Sequence, residues 1–281
     1  MSNYTGSREA FAAAMMQLAA EDSRYMIISP DSMKAMRVVG FAEKYPDRLI
    51  ELGIAEQNAV ACAAGMATCG LVPFVATYSG FITMRACEQV RTFVAYPKVN
   101  VKLVGANGGL FGGEREGVTH QFFEDLGILR CIPDMTIVVP SDPSQVFAAT
   151  LAIAKYEGPA FLRVSSGREH VIFDHEIPFE LGKARTLIDN GKDVALMGCG
   201  FILSRVLEAA EKLKQQGMVI SIDATVPSGV PATLVSRAVM VIASPLGPGV
   251  GFEVVTATLV GLARRMVNVA AGPALKFASP L

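Results

Sequence analysis

The stretch PDRLIELGIAEQNAVACAAGMATCGLVPFVATYSGF, residues 46–81, decides the fold. Its ends, LIELGI (49–54) and LVPFVATY (71–78), are short apolar runs rich in branched and aromatic side chains. Between them AEQNAVACAAGMATCG is small, apolar and alanine-rich, long enough for a helix and too long for a hairpin turn. Strand, helix, strand with continuous rather than alternating apolarity is the signature of parallel strands covered on both faces. Residues 57–84 carry no formal charge and exceed the ~20 residues of a spanning helix. Gly65, Thr68, Gly70, Pro73, Thr77, Ser79 and Gly80 break the run, so a buried helix, turn and strand is expected rather than a membrane segment.

Outward from this unit the alternation continues. YMIIS (25–29), VNVKLVGA (99–106), TIVVP (136–140) and PAFLRVS (159–165) read as further strands. SREAFAAAMMQLAAE and SDPSQVFAATLAIAKY read as helices, the second with Ser141 or Asp142 as its cap and Pro143 in the first turn. The pattern is a doubly wound α/β domain. Residues 169–190 turn polar and proline-containing and read as a linker. Beyond them VALMG (194–198), SRVLEAAEKLKQQ (204–216), MVISID (218–223), VMVIAS (239–244) and a helical stretch from about Gly251 to Arg265 make a smaller second α/β domain, so that 1–168 and 191–281 are the two units.

Composition excludes several functions. The 281 residues hold 25 Lys and Arg against 26 Asp and Glu, a net charge of -1, which leaves no basic surface to neutralise many phosphates of a nucleic acid. Charged residues are 18% and hydrophobic ones 51%, against about 25% charged in an ordinary globular chain, so burial beyond that of an ordinary monomer surface is expected. Five cysteines, an odd number without a CxxC pair, point to reduced thiols and a cytoplasmic setting. MSNYTGSREAF has no basic start followed by an apolar stretch, and no signal peptide is expected.

Candidate chemistry collects at strand ends. Glu56 follows LIELGI at a strand's carboxyl end, where open α/β sheets place ligands; it serves either catalysis or the positive end of the helix it opens. Tyr78 and Phe81 follow the next strand at the same edge and either stack on a flat ring or pack in the core. GANGGLFGGEREGVTHQFFED (105–125) is a long irregular loop with five glycines between Gly108 and Gly117 and one histidine, His120. Loops of this length in compact domains are functional or disordered, and a histidine there exchanges protons near neutral pH or caps the surface. Neither a P-loop nor an ordered GxGxxG is present.

Taken together, PDRLIELGIAEQNAVACAAGMATCGLVPF, then YSGF with RACEQVR, then GVTHQFFEDLGILRCIPDMTIVVPSDPSQ and GPAFLRVSSGRE resemble, in order, the pyrimidine-binding domain of thiamine-diphosphate-dependent transketolases over residues 25–168. IAEQ with THQ favours transketolases and the related deoxyxylulose-phosphate synthases over the β subunits of 2-oxo-acid dehydrogenases. The resemblance implies that Glu56 bonds to a ring nitrogen of the coenzyme's aminopyrimidine, favouring the tautomer that activates the thiazolium carbon. It implies that Phe81 stacks on the pyrimidine with Tyr78 nearby, and that His120 binds the sugar or assists its proton transfers. Arg163 of FLRVSS would grip a substrate phosphate, or else form a structural ion pair. Glu116, where relatives often carry Asp, would make a polar contact with substrate.

The family also uses a GDG motif and a later Asn to hold diphosphate and a divalent cation, and no GDG occurs here. The resemblance therefore implies the second half of a split transketolase, supplying a pyrimidine-binding domain and a carboxyl-terminal-like domain. Thiamine diphosphate and Mg²⁺ would be shared with an amino-terminal partner subunit in a heterotetramer that moves a two-carbon ketol unit between sugar phosphates. A half-enzyme for deoxyxylulose-phosphate synthesis and a non-catalytic paralogue are the alternatives. No metal ligand is expected in this chain.

Overall fold

The structure is a computed structural model, and it describes residues 4–110, 116–166, 169–173, 178–189, 194–217, 220–224 and 238–240. The first domain is a six-stranded, all-parallel sheet in the order β2-β1-β3-β4-β6-β5. Its strands are β1 (Tyr25–Ser29), β2 (Leu49–Glu51), β3 (Val72–Tyr78), β4 (Lys102–Ala106), β5 (Thr136–Val138) and β6 (Ala160–Arg163). Alternate residues face opposite layers. Ile27, Phe74, Val104 and Leu162 join α1 (Ser7–Glu21) and α6 (Pro143–Lys155) on one face. Ile28, Val75, Leu103 and Phe161 join α3 (Glu56–Thr68) and α5 (Asp125–Arg130) on the other. Both faces are therefore covered, as the unbroken apolar runs require.

Several boundaries differ from the sequence reading. LIELGI pairs only through Glu51, because Gly53 adopts φ +67 and turns the chain toward α3. Glu56 is the first residue of α3, as read. The cap of α6 is Asp142, whose side chain accepts from Gln145 N at 2.9 Å. After β3 the chain runs through two π-helical segments, Phe81–Arg85 and Val90–Ala95, around α4 (Cys87–Gln89). Wide i→i+5 turns of this kind recur at functional sites.

The second sheet has the order β10-β8-β9-β7. It comprises β7 (Arg185–Asp189), β8 (Val194–Gly198), β9 (Ile220–Ala224) and β10 (Ala238–Met240), with α7 (Leu203–Gln215) against it. Strand β7 falls inside the stretch read as linker and pairs antiparallel with β9. The helix read from about Gly251 to Arg265 lies outside the described residues. All five cysteines are free. No helix among the described residues is long and apolar enough to cross a membrane.

Candidate functional site

The chain leaves β1 for β2 on one side and then places β3 on the other side of β1. That reversal makes the carboxyl ends of β1 and β3 the switch point, where α/β sheets open a crevice. Ser32 Oγ and Thr77 Oγ1 lie 2.7 Å apart there. Glu56, Tyr78 and Phe81 all reach this edge.

Glu56 is 1% exposed. Its Oε1 accepts from Arg85 Nη1 at 2.6 Å, whereas Oε2 is buried with no hydrogen-bond partner. A buried carboxylate oxygen without a donor is expensive, and it has the chemistry to accept from, or share a proton with, a ring nitrogen. Arg85 reaches Glu56 from the first π-helical segment while its guanidinium carbon stands 4.1 Å over the Phe81 ring. Its side chain is 46% exposed.

Phe81 belongs to a cluster of rings. Tyr78 and Phe81 meet edge to face at 5.6 Å. The His120 ring meets Tyr78 at 4.8 Å and Phe81 at 5.3 Å, both near perpendicular. Phe122 closes the cluster at 5.5 Å from Phe81. His120 ends a 3-10 turn, Val118–His120, that starts after Gly117 at φ +83. Thr119 Oγ1 lies 3.0 Å from His120 Nδ1. A hydroxyl on one ring nitrogen fixes the imidazole plane.

Arg163, at the end of β6, points back into the domain. Its Nε and Nη2 donate to Asp125 Oδ2 at 2.7 Å and Oδ1 at 2.9 Å, and Nη2 also reaches Phe122 O at 3.1 Å. This is the structural ion pair that the sequence left open. Glu116 is exposed, and its charge acts at longer range on Arg8. The structure thus brings Glu56, Tyr78, Phe81 and His120 into one chain of contacts, sets Arg163 behind it, and leaves Glu116 outside.

Three residues escaped the sequence reading. Arg85 and Asp125 lie inside quoted motifs but carry no signal of their own. Arg8, in the first turn of α1, donates to Ala35 O at 3.1 Å, to Ser165 O at 3.5 Å and to Asn107 Oδ1, with its guanidinium 6.0 Å from the Tyr78 ring. Those acceptors are all neutral. Burial pulls the Arg8 guanidinium below the ordinary arginine value, and the buried Asn107 Nδ2 beside it has no partner. No local pattern marks Arg8, because only the sheet order carries the start of α1 to the end of β4. Among the described residues no group of three or more His, Cys, Asp or Glu could hold a metal ion.

Residues 5–168 match the family of the transketolase pyrimidine binding domain. A 6-deoxy-6-sulfo-D-fructose transketolase subunit of a Clostridium species is 36% identical over 211 residues, 75% of this chain and 65% of that protein. An apulose-4-phosphate transketolase subunit of Phocaeicola vulgatus is 32% identical over 217 residues, 77% of this chain and 69% of its own. The match therefore covers about two thirds of each relative's length. A solved structure described as "Split gene transketolase, inactive beta4 tetramer" superposes with a TM-score of 0.74 at 31% identity, covering 84% of this chain and 79% of that one.

Proposed function

The chain belongs to the transketolase family through its pyrimidine-binding domain, and we propose that it is one half of a two-chain enzyme that moves a two-carbon ketol unit between sugars with anionic ends. Thiamine diphosphate would lie at the contact with a partner subunit, to which the diphosphate and Mg²⁺ are assigned. The observation that carries this reading is the buried, partnerless Oε2 of Glu56 beside the Tyr78, Phe81 and His120 rings. When bound, the coenzyme supplies the nucleophilic carbon and the electron sink for carbon–carbon bond cleavage.

The rest falls to this chain. Glu56 offers Oε2 to a nitrogen of the aminopyrimidine, within a hydrogen-bonding role that needs a carboxyl able to hold or release one proton. Phe81 and Tyr78 provide the apolar, π-rich walls that hold a flat ring. For a ring to use the Phe81 face now covered by Arg85, the half-exposed guanidinium swings outward. His120, oriented by Thr119, presents its other nitrogen to sugar hydroxyls and moves protons to or from them. Glu116 contributes a polar contact from the loop.

The anionic end of the substrate falls to Arg8. Among the described residues its hydrogen bonds go to neutral acceptors, with Glu169 and Glu116 acting on it through longer-range charge, and its planar donors suit a phosphate or sulfonate. The two relatives named for 6-deoxy-6-sulfo-D-fructose and apulose-4-phosphate fit a substrate of this class.

The test is reconstitution. The purified chain is mixed with a subunit that carries the GDG-type domain, and ketol transfer and pyruvate decarboxylation are assayed side by side. Ketol transfer by the pair and none by either chain alone is expected, with Glu56→Gln lowering turnover by about 10²-fold or more. Full activity in the isolated chain overturns the two-chain reading. Pyruvate use moves the assignment to deoxyxylulose-phosphate synthesis. An unaffected Glu56→Gln pair removes Glu56 from the chemistry.

A further inference from the structure

We infer that Arg163 is a positioning residue: the network Ser79–Asp125–Arg163 holds Phe122 and His120 against the Tyr78 and Phe81 rings, and Arg163 does not grip substrate. The inference rests on the reading of this cleft as the coenzyme and sugar site.

Among the described residues, the hydrogen bonds of Arg163 all face inward. Its bidentate fork meets both oxygens of Asp125, whose side chain is 0% exposed. The charge of Arg163 is therefore already neutralised by a carboxylate that would repel an incoming phosphate. Arg8, bonded to neutral acceptors, shows the opposite arrangement. Nor is there space on the side toward the loop. A Cβ at Gly108 would stand 2.5 Å from Arg163 Nε and 2.7 Å from its Cγ.

Asp125 ties three elements together. Its Oδ2 accepts from Ser79 Oγ at 2.6 Å, just past the end of β3, while Oδ1 accepts from its own α5 at Leu126 N, 2.9 Å. Arg163 brings in β6. The loop is then pinned at Phe122, whose carbonyl oxygen accepts from Arg163 Nη2 at 3.1 Å and from Gly109 N at 2.6 Å. Phe122 in turn abuts Gly80, where a Cβ would fall 2.0 Å from its Cδ1. His120 stands two residues from that pin, and its ring is placed by contact with Tyr78 and Phe81 rather than by a hydrogen bond from a sheet strand. Beside the Gly109 bond and the packing on Gly80, the brace is what ties the loop to α5 and β6 together.

Two measurements decide it. In the reconstituted enzyme, kcat/KM is measured for a phosphorylated ketose donor and for its unphosphorylated counterpart. Arg163→Met is expected to lower both by the same factor, about 10²-fold, the scale of an ångström-level misplacement. Asp125→Asn should reproduce this loss, and Arg163→Lys, which keeps the charge but loses the fork, should recover only part of it. A loss confined to the phosphorylated donor overturns the inference in favour of a phosphate grip.

The second measurement needs no substrate or partner. In the full-length chain, amide hydrogen exchange over residues 117–123 and the His120 ring-proton shift, set by the neighbouring Tyr78 and Phe81 rings, are compared with wild type. Arg163→Met and the milder Ser79→Ala should speed exchange there and move the His120 resonance toward its free-imidazole position, with far-UV circular dichroism retained. Unchanged exchange and an unchanged resonance overturn the brace, whatever the reconstituted pair does. Failure of ketol transfer with a positive result here counts against the proposed reaction alone.

Discussion

Lys102 opens β4 with a fully buried side chain, and its Nζ donates to Tyr156 O at 2.6 Å and Gly158 O at 2.7 Å. It sits at the amino end of the sheet, away from the switch-point edge, and caps the carbonyls that follow α6. Burial pushes its ammonium from 10.5 down to about 7, with Glu157 opposing. Between pH 7 and 10.5 the unfolded chain then binds a proton that the folded chain has released, so stability contributed through Lys102 rises with pH across that window; below pH 7 the full penalty of a buried charge is present. Thermal midpoints of wild type and Lys102→Met across this range should show wild type gaining on the variant as pH rises, and parallel curves would contradict it. At this scale Glu56, Tyr78, Phe81 and His120 were legible because strand ends and glycine-rich loops are visible in local composition. Arg8, Arg85 and Lys102 were not, since a cation's meaning depends on which acceptors tertiary folding sets beside it.

Helix α6 shows how a terminus can secure more than itself. Asp142 accepts from Gln145 N at 2.9 Å with Oδ1 and from Ile172 N and Phe173 N at 3.0 and 2.8 Å with Oδ2, so one carboxylate caps the helix and anchors the segment that leaves the first domain. Burial lifts this carboxyl above the ordinary aspartate value even though those three amides pull the other way. Asp142→Ala removes the cap and strands buried donors, so a loss of about 2 kcal/mol or more is expected by chemical denaturation. The π-helical turn after β3 makes a second prediction. Gly80→Ala places a methyl group 2.0 Å from Phe122 Cδ1, and the ring must shift, at a cost of about 1–3 kcal/mol. The sequence marked Ser141 or Asp142 as the cap, and in the structure Asp142 takes the role while its other oxygen accepts from residues 172 and 173, which no local pattern announces. It held no sign of the π turns, whose period an apolar stretch of mixed small residues does not encode.

At the scale of the molecule, exposed apolar side chains gather in sequence around the site. Ile54 and Met84 flank Glu56 and Arg85, and Val118 and Phe123 flank His120. Ile54 is 74% and Phe123 62% exposed. Surfaces of this kind rimming a cleft mark contacts with other chains. Ile54→Asp and Phe123→Asp should weaken association with the partner subunit in sedimentation velocity while leaving the chain's own thermal midpoint unchanged. The two domains meet through the turn before α7, where Gly200 N donates to Val139 O at 3.2 Å.

The amino-acid sequence by itself determined the layered α/β architecture, the family and the identity of four residues at the sheet's carboxyl edge, because apolar continuity, turn residues and ordered motifs are properties of neighbouring positions. Only the tertiary structure decided the strand order, the unpartnered oxygen of Glu56, the neutral hydrogen-bond acceptors around Arg8 and the capture of Arg163 by Asp125, 38 residues away. Those depend on which groups meet across the sheet, and electrostatic pairing at a distance of a few ångströms leaves no trace in separations of that length.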